Sequence, residues 1–350
     1  MSLATVETLD EKPNYFIEKI RTMLGIKDIQ ELKWGIIGCG DVTEHKSGPA
    51  FNKIANSSLI AVMRRDAEKA SDYAIRHDVP KWYDNADQLI NDPEINAIYI
   101  ATPPLQHEEY TLKALAAGKP VYVEKPVALN TEGAIRMQEA AEKYKVKLAV
   151  AHYRRAQPMF LKIKSLLDDG SIGTVKLVQL QMLQPAKSDL IAQSENNWRI
   201  DPAISGGGLF HDLAPHQLDL MIYFFGEAER AYGLSLNQQN SSGVEEDLVT
   251  GHILFKNGVV FNGTWCFSVA EQVDLCEIVG TKGKISFPMF GNKFILTKNG
   301  KEELFAFDSL AHVQQPMIEQ VVNYFLGTAK NPCSAEQAIQ SMKLMDSFKQ

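Results

Sequence analysis

Short apolar runs alternate with amphipathic stretches from Lys33 to Ala151. KWGIIG, SLIAVM, AIYIA, VYVEK and KLAVA have the length and composition of buried strands, and longer segments with helical periodicity lie between most of them. Strands that alternate with helices in this way form a parallel sheet covered by helices on both faces. The pattern therefore predicts a doubly wound α/β domain over residues 33–151.

A different pattern follows residue 152. TVKLVQLQML alternates polar and apolar positions over the length of one long strand. The dipeptide Asn-Gly occurs at 257–258 and 299–300, each time between two strand patterns, and Asn-Gly is the strongest short signal for a hairpin. Residues 152–350 are therefore predicted to form an α+β domain with a large, mostly antiparallel, open sheet.

Helical segments accompany the predicted sheet. These are PMFLKIKSLLDD, HQLDLMIYFF and, near the C-terminus, MIEQVVNYFLG and SAEQAIQSMKLMDSF, of which the last two can pack back on the first domain. Residues 1–32 precede the first strand, and the periodic NYFIEKIRTMLGI predicts an N-terminal helical arm packed on the body or on a partner subunit. Because a broad sheet needs its open face covered and the loops look short, we expect a homodimer or homotetramer formed through that face.

The composition favours a small-molecule ligand. A chain of 350 residues is long enough for two domains, since single cores stop growing near ~250 to 300 residues. Its net charge of −7 argues against a nucleic-acid surface, which needs clustered excess base. The four cysteines lack zinc-binding spacing, no apolar stretch approaches the ~18 residues of a membrane span, and no signal-peptide pattern is present. We expect a cytoplasmic protein with reduced thiols and no nucleic-acid or membrane partner.

The stretch GIIGCGDVT joins the first strand to the first helix and carries Gly38-x-Gly40-x-x-Thr43. Glycines at this place let backbone amides hold a pyrophosphate at the helix N-terminus, as in a dinucleotide-binding Rossmann domain. The third position departs from the usual Gly or Ala, but it serves packing rather than phosphate contact. A glycine-rich turn without a ligand is the alternative. The predicted cofactor contacts in this turn are Gly38, Cys39, Gly40, Asp41 and Val42.

The end of the second strand decides which dinucleotide is bound. An NAD(H) site places an acid there to bond the adenosine ribose, but this chain has Arg64 followed by Arg65. A guanidinium suits a 2′-phosphate, which a carboxylate would repel, so the sequence favours NADP(H). NAD(H) remains the alternative, because both arginines can be solvated while Asp66 bonds the ribose or caps the next helix.

Three segments of the first domain are predicted to converge at the carboxyl ends of the parallel strands, where doubly wound sheets bind ligands. ATPPLQH ends one strand and brings Thr102, Pro103 and His107 beside the cofactor. VEKP ends the next strand and brings Glu124 and Lys125, and AVAHYRR ends the one after. We therefore expect charged groups at the nicotinamide end of the cofactor.

The second domain adds SGGGLFHDLAPHQLDL to this region. We expect a helix that starts close to Asp212, with Pro215 in its first turn, where the missing N–H of a proline is tolerated. Asp212 and His216 are four residues apart and fall on one face of that helix, from which both can face one ligand. A helix cap at Asp212 and a packed helix histidine at His216 are the simpler alternatives.

From residue 33 to roughly the C-terminus the chain resembles the glucose-fructose oxidoreductase / inositol dehydrogenase (Gfo/Idh/MocA) family. GIIGCG, ATPPLQH, EKP and the Asp212-x-x-x-His216 pair after GGG carry the resemblance, and their combination is specific. The resemblance implies that Lys125, Asp212 and His216 act on a sugar hydroxyl while a nicotinamide takes or gives the hydride. The chain has Ala-Pro at 214–215 where the family often has a glycine, which leaves the helix start open.

The residue types fit that chemistry. Oxidation of a secondary alcohol requires a base for the hydroxyl proton, and a histidine such as His216 ordinarily has a pKa near the working pH. Lys125 can stabilise the developing alkoxide, or polarise the carbonyl in the reverse direction. A surface lysine paired with Glu124 is the alternative. His211, Asp212 and His216 have no further acid or cysteine at zinc-like spacing, so no metal is expected.

Five more residues are candidates for the substrate pocket, and their polarity suits a polyhydroxy or anionic sugar. They are Tyr153, Arg154, Arg155, Trp198 and Arg199. The sequence thus predicts an NADP(H)-dependent oxidoreductase that acts on a sugar, cyclitol or related polyol or keto-sugar. Two alternatives stay open: an NAD-dependent glycoside hydrolase of the same family, and a non-catalytic regulatory module that senses a nicotinamide cofactor.

Overall fold

The computed structural model describes residues 30–185, 190, 198–239 and 246–349. The predicted N-terminal arm lies almost entirely outside these ranges, and the first strand begins at Leu32. Within them the chain forms two sheets, one of six strands and one of eight. Among the helices of these ranges, none combines the length and the apolar composition of a membrane span.

The first sheet is parallel throughout. Its strands are β1 Leu32–Ile37, β2 Ser57–Met63, β3 Lys81–Tyr83, β4 Ala97–Ile100, β5 Val121–Val123 and β6 Leu148–Val150. The order β3-β2-β1-β4-β5-β6 runs outward in both directions from β1, and doubly wound sheets bind ligands where the order reverses. The predicted Rossmann sheet is confirmed. Strand β3 was not predicted, because its three residues do not form an apolar run.

Five α-helices of the described residues belong to this sheet: α1 Asp41–His45, α2 Ala67–Arg76, α3 Ala86–Asn91, α4 His107–Ala116 and α5 Thr131–Tyr144. Helix α1 is short because Pro49 follows it and starts a 3₁₀ segment, Gly48–Lys53. Three later helices begin at side-chain caps, since Asp66, Asn85 and Asn130 accept hydrogen bonds from amides in the first turns of α2, α3 and α5. Local sequence therefore sets most helix starts in this domain.

The second sheet has eight strands in the described part of the chain. They are β7 Val175–Leu183, β8 Ala228–Leu236, β9 Leu248–Phe255, β10 Val260–Cys266, β11 Val273–Gly280, β12 Lys284–Phe287, β13 Lys293–Lys298 and β14 Lys301–Ala306. Their order is β14-β13-β12-β11-β7-β10-β9-β8, and every neighbouring pair except β7 and β10 is antiparallel. The predicted mostly antiparallel sheet is thus confirmed. Asn299 and Gly300 have φ angles of 52° and 72°, as the tight hairpin between β13 and β14 requires.

The remaining described α-helices are α6 Pro158–Asp168, α7 Pro202–Ser205, α8 Leu209–Phe225, α9 Gln315–Leu326 and α10 Ala335–Phe348. Helix α8 begins three residues before Asp212, so Pro215 lies in its second turn, and the predicted helix start was too late. The glycine triplet explains the difference. Gly206 ends α7 with a φ of 86°, and Gly208 caps α8 in an extended conformation, so the glycine triplet alone connects the two helices.

The two C-terminal helices connect the two sheets. Phe325 of α9 stacks on Trp34 of β1, with ring centroids 5.6 Å apart. Phe348 of α10 packs so closely over β9 that a Cβ at Gly251 would lie 2.3 Å from its ring. Between them, these helices therefore contact both domains.

Candidate active site

A cavity of about 610 Å³ lies at the carboxyl ends of β1, β2 and β4. Nine of the predicted cofactor contacts line it, namely Gly38, Cys39, Gly40, Asp41, Val42, Arg64, Arg65, Thr102 and Pro103. Seven further residues complete the described wall, namely Met63, Lys69, Ala101, Gln106, Tyr110, Trp198 and Arg199. The cavity is therefore at the position where this sheet topology places a ligand.

The glycine-rich turn is tightly constrained at Gly38. Its φ is 97°, and a Cβ there would lie 2.7 Å from the amide nitrogen of Thr102, whereas a Cβ at Gly40 meets nothing within 4 Å. Thr43, at the third motif position, exchanges hydrogen bonds with Gly40. Its Oγ1 accepts from the Gly40 amide at 3.0 Å and donates to the Gly40 carbonyl at 2.8 Å. Thr43 thus closes the turn, which explains the departure from Gly or Ala at this position.

The surroundings of the turn fit a dinucleotide. The first-turn amides of α1, at Asp41 and Val42, have no carbonyl partner inside their helix, as at every helix start. Thr102 Oγ1 and Gln106 Oε1 are buried at the cavity wall, and neither has a hydrogen-bond partner among the described residues. Unpaired polar groups beside an open glycine turn are the arrangement that a pyrophosphate and its sugars satisfy.

Cys39 fills the turn as an apolar side chain. It is fully buried, and burial raises the pKa of its thiol to about 11, so the sulfur stays protonated at neutral pH. Its carbonyl oxygen accepts a hydrogen bond from Arg64 Nη1 at 3.3 Å. This bond holds the Arg64 guanidinium at the wall of the cavity.

The end of the cavity next to β2 is basic. Arg64, Arg65 and Lys69 line it, and Asp41 is the one carboxylate among the described lining residues. Asp66 caps α2 instead, where its carboxylate accepts from the Lys69 amide at 3.1 Å and lies 3.8 Å from Lys69 Nζ. The acid that could have bonded a ribose is therefore directed at its own helix.

Lys125 and Asp212 meet across the two domains. Lys125 Nζ donates to Asp212 Oδ1 at 2.8 Å and to the Asp212 carbonyl at 2.9 Å. Arg199, which also lines the cavity, has its Nε 3.6 Å from Asp212 Oδ2. Burial raises the pKa of Asp212, but Lys125 and Arg199 outweigh burial and hold that pKa below its usual range. An ionised pair therefore lies next to the cavity.

Glu124 does not pair with the Lys125 ammonium. Its buried carboxylate accepts from the Tyr99 hydroxyl at 2.5 Å, from Gln314 Nε2 at 2.7 Å and from the Lys125 backbone amide at 3.1 Å. These bonds hold the end of β5, from which Lys125 extends. Within the described ranges Asp212 is the carboxylate partner of Lys125, so the alternative of a surface pair with Glu124 does not apply.

His216 belongs to the same helix as Asp212. Its ring is 5% exposed and packs edge-on against Tyr153 and Phe290, with centroid distances of 5.3 and 5.7 Å. Its Nδ1 has no hydrogen-bond partner in the described chain. Burial, and next the positive charge of Lys125, hold the pKa of His216 well below its usual range. The imidazole is therefore neutral at neutral pH and can accept a proton.

Like Glu124, which does not line the cavity either, two more of the predicted contacts lie in the interior. His107 is fully buried between backbone carbonyls, with Nδ1 2.9 Å from the Pro126 oxygen and Nε2 2.7 Å from the Thr102 oxygen. It joins the segments after β4 and β5 and does not line the cavity. The Nε and Nη2 of Arg155 both donate to Asp219 at 2.7 Å, and the pair is almost completely buried. Arg155 therefore holds the fold together, away from the cavity wall.

The other candidate substrate-binding residues line two different cavities. Trp198 and Arg199 line the 610 Å³ cavity, where the Arg199 guanidinium lies over the Trp198 ring at 4.5 Å. Tyr153 and Arg154 line a second cavity beside His216. No group of three or more His, Cys, Asp or Glu side chains in the described ranges is arranged to hold a metal ion.

Sequence reasoning missed four polar residues of this region: Lys46, Lys69, Gln106 and Tyr110. The positive charge of Lys46 contributes to the low pKa of both Asp212 and His216. No local signal marks Lys46, because its effect arises only when the fold brings the end of α1 toward α8. Lys69 could have been predicted from the sequence, because it follows Arg65 by four residues in the same segment.

Two family models match the chain. Residues 32–152 match the oxidoreductase family with an NAD-binding Rossmann fold, and residues 160–286 match the GFO/IDH/MocA C-terminal domain. Oxidoreductase P35 from Formosa agariphila is 50% identical over 317 residues, which cover 91% of this chain and 98% of that protein. The chain belongs to the Gfo/Idh/MocA oxidoreductase family. The family prediction made from the four motifs is thereby confirmed.

More distant relatives agree with this assignment. Trans-1,2-dihydrobenzene-1,2-diol dehydrogenase from Xenopus laevis is 27% identical over 291 residues, or 81% of this Gfo/Idh/MocA chain and 83% of that protein. The solved structure of levoglucosan dehydrogenase in complex with NADH and levoglucosan has a TM-score of 0.82 at 21% identity, and the match covers 91% and 96% of the two chains. That likeness shows a shared fold. The protein is thus an oxidoreductase with an NAD(P)-binding Rossmann domain, as predicted.

Proposed function

We propose that this Gfo/Idh/MocA oxidoreductase transfers a hydride between NADP(H) and a sugar, cyclitol or related polyol, or its keto form. The observation that carries the proposal is the Lys125–Asp212 pair beside a cavity that fits a dinucleotide, with His216 on the helix of Asp212. A mostly buried ion pair is a weak source of stability, because desolvation offsets much of its attraction. Catalysis is the better reason for these charges to meet there.

The three side chains divide the work of alcohol oxidation. The carbinol O–H and C–H bonds break and a C=O bond forms, and the nicotinamide, when bound, accepts the hydride. His216, neutral at neutral pH, takes the hydroxyl proton. The Lys125 ammonium stabilises negative charge that develops on the oxygen, and Asp212 holds that ammonium through the 2.8 Å hydrogen bond. In the reverse direction, Lys125 polarises a carbonyl and His216 returns the proton.

The basic end of the cavity supports NADP(H) over NAD(H). Arg64, Arg65 and Lys69 place three cations on one stretch of wall, which suits the two negative charges of a 2′-phosphate. Asp66, the acid that an NAD(H) site would use, is committed to the start of α2. NAD(H) use by this enzyme is the competing outcome, and the relative kcat/KM for the two cofactors decides between them.

The relatives support a hydroxylated small molecule as the substrate. Levoglucosan dehydrogenase is solved with levoglucosan, and the Xenopus laevis relative is named for a diol. Each of these compounds carries the secondary alcohol that Lys125 and His216 are proposed to bind. Sugars, cyclitols and related polyols are therefore the class to assay for this chain.

The direct test is to incubate the purified protein with NADP⁺, NADPH, NAD⁺ or NADH against a panel of sugars, cyclitols and keto-sugars, and to follow nicotinamide absorbance. We expect turnover with at least one panel member and a higher kcat/KM with NADP(H). Glycoside cleavage with retained NAD and no net redox change would point to the hydrolase instead. Tight cofactor binding without any turnover would point to a regulatory module.

The open sheet of the second domain supports a homodimer or homotetramer. Tyr232, Leu234 and Leu236 alternate along β8, so they share one face, and they are 65%, 49% and 39% exposed. An exposed apolar stripe of this kind marks an interface. Sedimentation of the wild type should show a dimer or tetramer, and Tyr232→Lys together with Leu234→Lys should shift it toward the monomer. A monomeric wild type at micromolar concentration would count against this interface.

The cysteines support a place in the cytoplasm. All four lie in the described ranges, and each is a buried free thiol: Cys39, Cys266, Cys276 and Cys333. Disulfides are common in oxidising compartments and rare in the cytosol. We therefore place the enzyme in the cytoplasm, which cell fractionation with an antibody to the protein would test.

A further inference from the structure

A second cavity, of about 330 Å³, lies beside the catalytic cluster, which consists of Lys125, Asp212 and His216. Its wall includes Tyr153, Arg154, Gln157, Phe290, Asn292 and Phe307. Tyr153 and Phe290 are also the two rings that pack against His216, at 5.3 and 5.7 Å between centroids. The cavity is therefore separated from the proposed base by no more than one layer of side chains.

Arg154, the positive group on this wall, has no direct carboxylate partner among the residues that the structure describes. Arg154 is 7% exposed, and its Nη1 donates to the Met289 carbonyl at 2.7 Å and to Gln157 Oε1 at 3.5 Å. The guanidinium lies over the Phe290 ring at 4.2 Å. Its Nε is buried and without an acceptor in the described part of the chain. The next residue differs completely, since Arg155 forms a two-point ion pair with Asp219.

Two carboxylates lie near this wall. The charge of Arg154 acts on Asp274, but within the described ranges neither carboxylate forms an ion pair or a hydrogen bond with the guanidinium. Asp274 accepts hydrogen bonds from the amides of Met289 and Phe290, each at 2.8 Å. Asp308 lines the cavity but is exposed to solvent. A buried cation without a direct carboxylate partner is costly, so an arginine kept in this state favours a ligand that supplies negative charge.

The catalytic cluster adds to the positive charge on this side. Asp212 lies between Lys125 at 2.8 Å and Arg199 at 3.6 Å, so its own negative charge is offset. The charges of Lys125, Arg154 and Lys46 all act on His216. A substrate that enters between the two cavities therefore meets an excess of cations, which attracts an anion and repels a cationic sugar.

We propose that this second cavity binds an anionic substituent of the sugar, such as a carboxylate or a phosphate, through Arg154. The proposal rests on the function proposed above and narrows it to acidic saccharides. The alcohol that reacts lies at Lys125 and His216, while the charged group extends past Tyr153 and Phe290 to the guanidinium. Arginine suits this role because its planar donors bind carboxylate or phosphate oxygens in pairs.

The test compares D-glucuronate, D-glucose 6-phosphate and D-glucose as ligands of the NADP⁺-loaded protein by calorimetry, and as substrates where they turn over. We expect at least one of the two anionic sugars to bind at least tenfold more tightly than glucose, and that preference to fall as salt is raised. The carboxylate and phosphate arms show which anion the cavity prefers. Equal or weaker binding of both anionic sugars than of glucose would overturn the proposal.

Two substitutions distinguish a direct contact between Arg154 and the anion from a general attraction by positive charge. Arg154→Gln should weaken binding of the preferred anionic sugar at least tenfold, raise its KM, and leave NADP⁺ binding and the weak affinity for glucose unchanged. Arg136→Gln, an exposed arginine on α5, is the matched control and should change none of these. If Arg154→Gln fails to fold, Arg154→Lys keeps the charge without the paired donors and should lose part of the preference. Unchanged anion affinity in the folded variant contradicts the proposal.

The two proposals fail in distinguishable ways. Turnover of neutral sugars without any preference for anionic ones would leave the oxidoreductase function standing and remove the anion site. Absence of turnover with every alcohol and keto-sugar, while anionic sugars still bind through Arg154, would remove the proposed reaction and keep the site.

Discussion

The cofactor cavity and the catalytic cluster are assembled in different ways. The cavity is formed mainly by the turn after β1 and by the ends of β2 and β4, the two strands that flank β1 in one sheet. The cluster joins Lys125 of the first domain to Asp212, which is 87 residues away in sequence. The first site depends on local backbone shape, and the second depends on long-range packing between domains.

This difference implies that binding and turnover can be lost separately. Changes in the glycine turn should affect dinucleotide binding, whereas changes in the cluster should affect hydride transfer with the dinucleotide still bound.

The largest effect is expected at the cluster. Lys125→Ala and His216→Ala should each lower kcat for alcohol oxidation by roughly 10² to 10⁴, the usual contribution of a positioned acid, base or charge. NADP⁺ affinity, measured by fluorescence titration, should stay within a few-fold of the wild type. Lys143→Ala, an exposed lysine on α5, serves as the matched control. Near-normal kcat in either cluster variant would remove that residue from the mechanism.

The next effect is expected at the glycine turn. Gly38→Ala should destabilise the protein by about 1–3 kcal/mol, because its φ of 97° and the 2.7 Å approach to Thr102 exclude a Cβ. Dinucleotide binding should weaken with it. Gly40→Ala should leave the unfolding free energy of the cofactor-free protein nearly unchanged, since a Cβ there meets nothing within 4 Å. Equal denaturant midpoints for both variants would show that the turn is less constrained than described.

A smaller effect concerns cofactor preference. Arg64→Asp should shift the ratio of kcat/KM from NADP⁺ toward NAD⁺ by roughly tenfold or more, as expected for loss of a charge-assisted bond to phosphate. Asp66→Ala should leave that ratio unchanged but cost about 1 kcal/mol of stability, because it removes the cap of α2. A change of preference in Asp66→Ala would instead make Asp66 a ribose ligand.

The smallest effect is expected from pH. The pKa of His216 is held well below its usual range, so the neutral base persists as the pH falls. The profile of kcat/KM for oxidation should therefore stay flat through about pH 6.5, the ordinary pKa of a histidine, and decline only at lower pH. An acid limb centred near 6.5 that disappears in His216→Ala would show that the imidazole is more solvated than its packing against Tyr153 and Phe290 indicates.

The same contrast explains how much the sequence could predict. Gly38 and the Asn-Gly hairpins carry local conformational signals, and both sheets were predicted from patterns of this kind. The start of α8 was missed because the glycine triplet permits a sharper passage between helices than its composition suggests. Strand β8, at the edge of the second sheet, was also missed.

Residues whose role depends on distant neighbours were harder to assign. Arg154 and Arg155 are adjacent and identical in type, yet one lines a cavity and the other is paired with Asp219. The prediction grouped them, because only the fold shows where the Asp219 carboxylate lies. Lys46 was overlooked for the same reason, since its charge acts on His216 only through the approach of α1 to α8.

The proposed mechanism makes one claim about geometry, which is that the Lys125 ammonium and the His216 imidazole act on one substrate oxygen beside the nicotinamide. A crystal structure with NADP⁺ and a substrate identified in the panel assay tests it most directly. We predict one carbinol oxygen within hydrogen-bond distance of both Lys125 Nζ and a ring nitrogen of His216, with its carbon against the nicotinamide ring. A substrate whose reacting oxygen contacts neither group would contradict the claim.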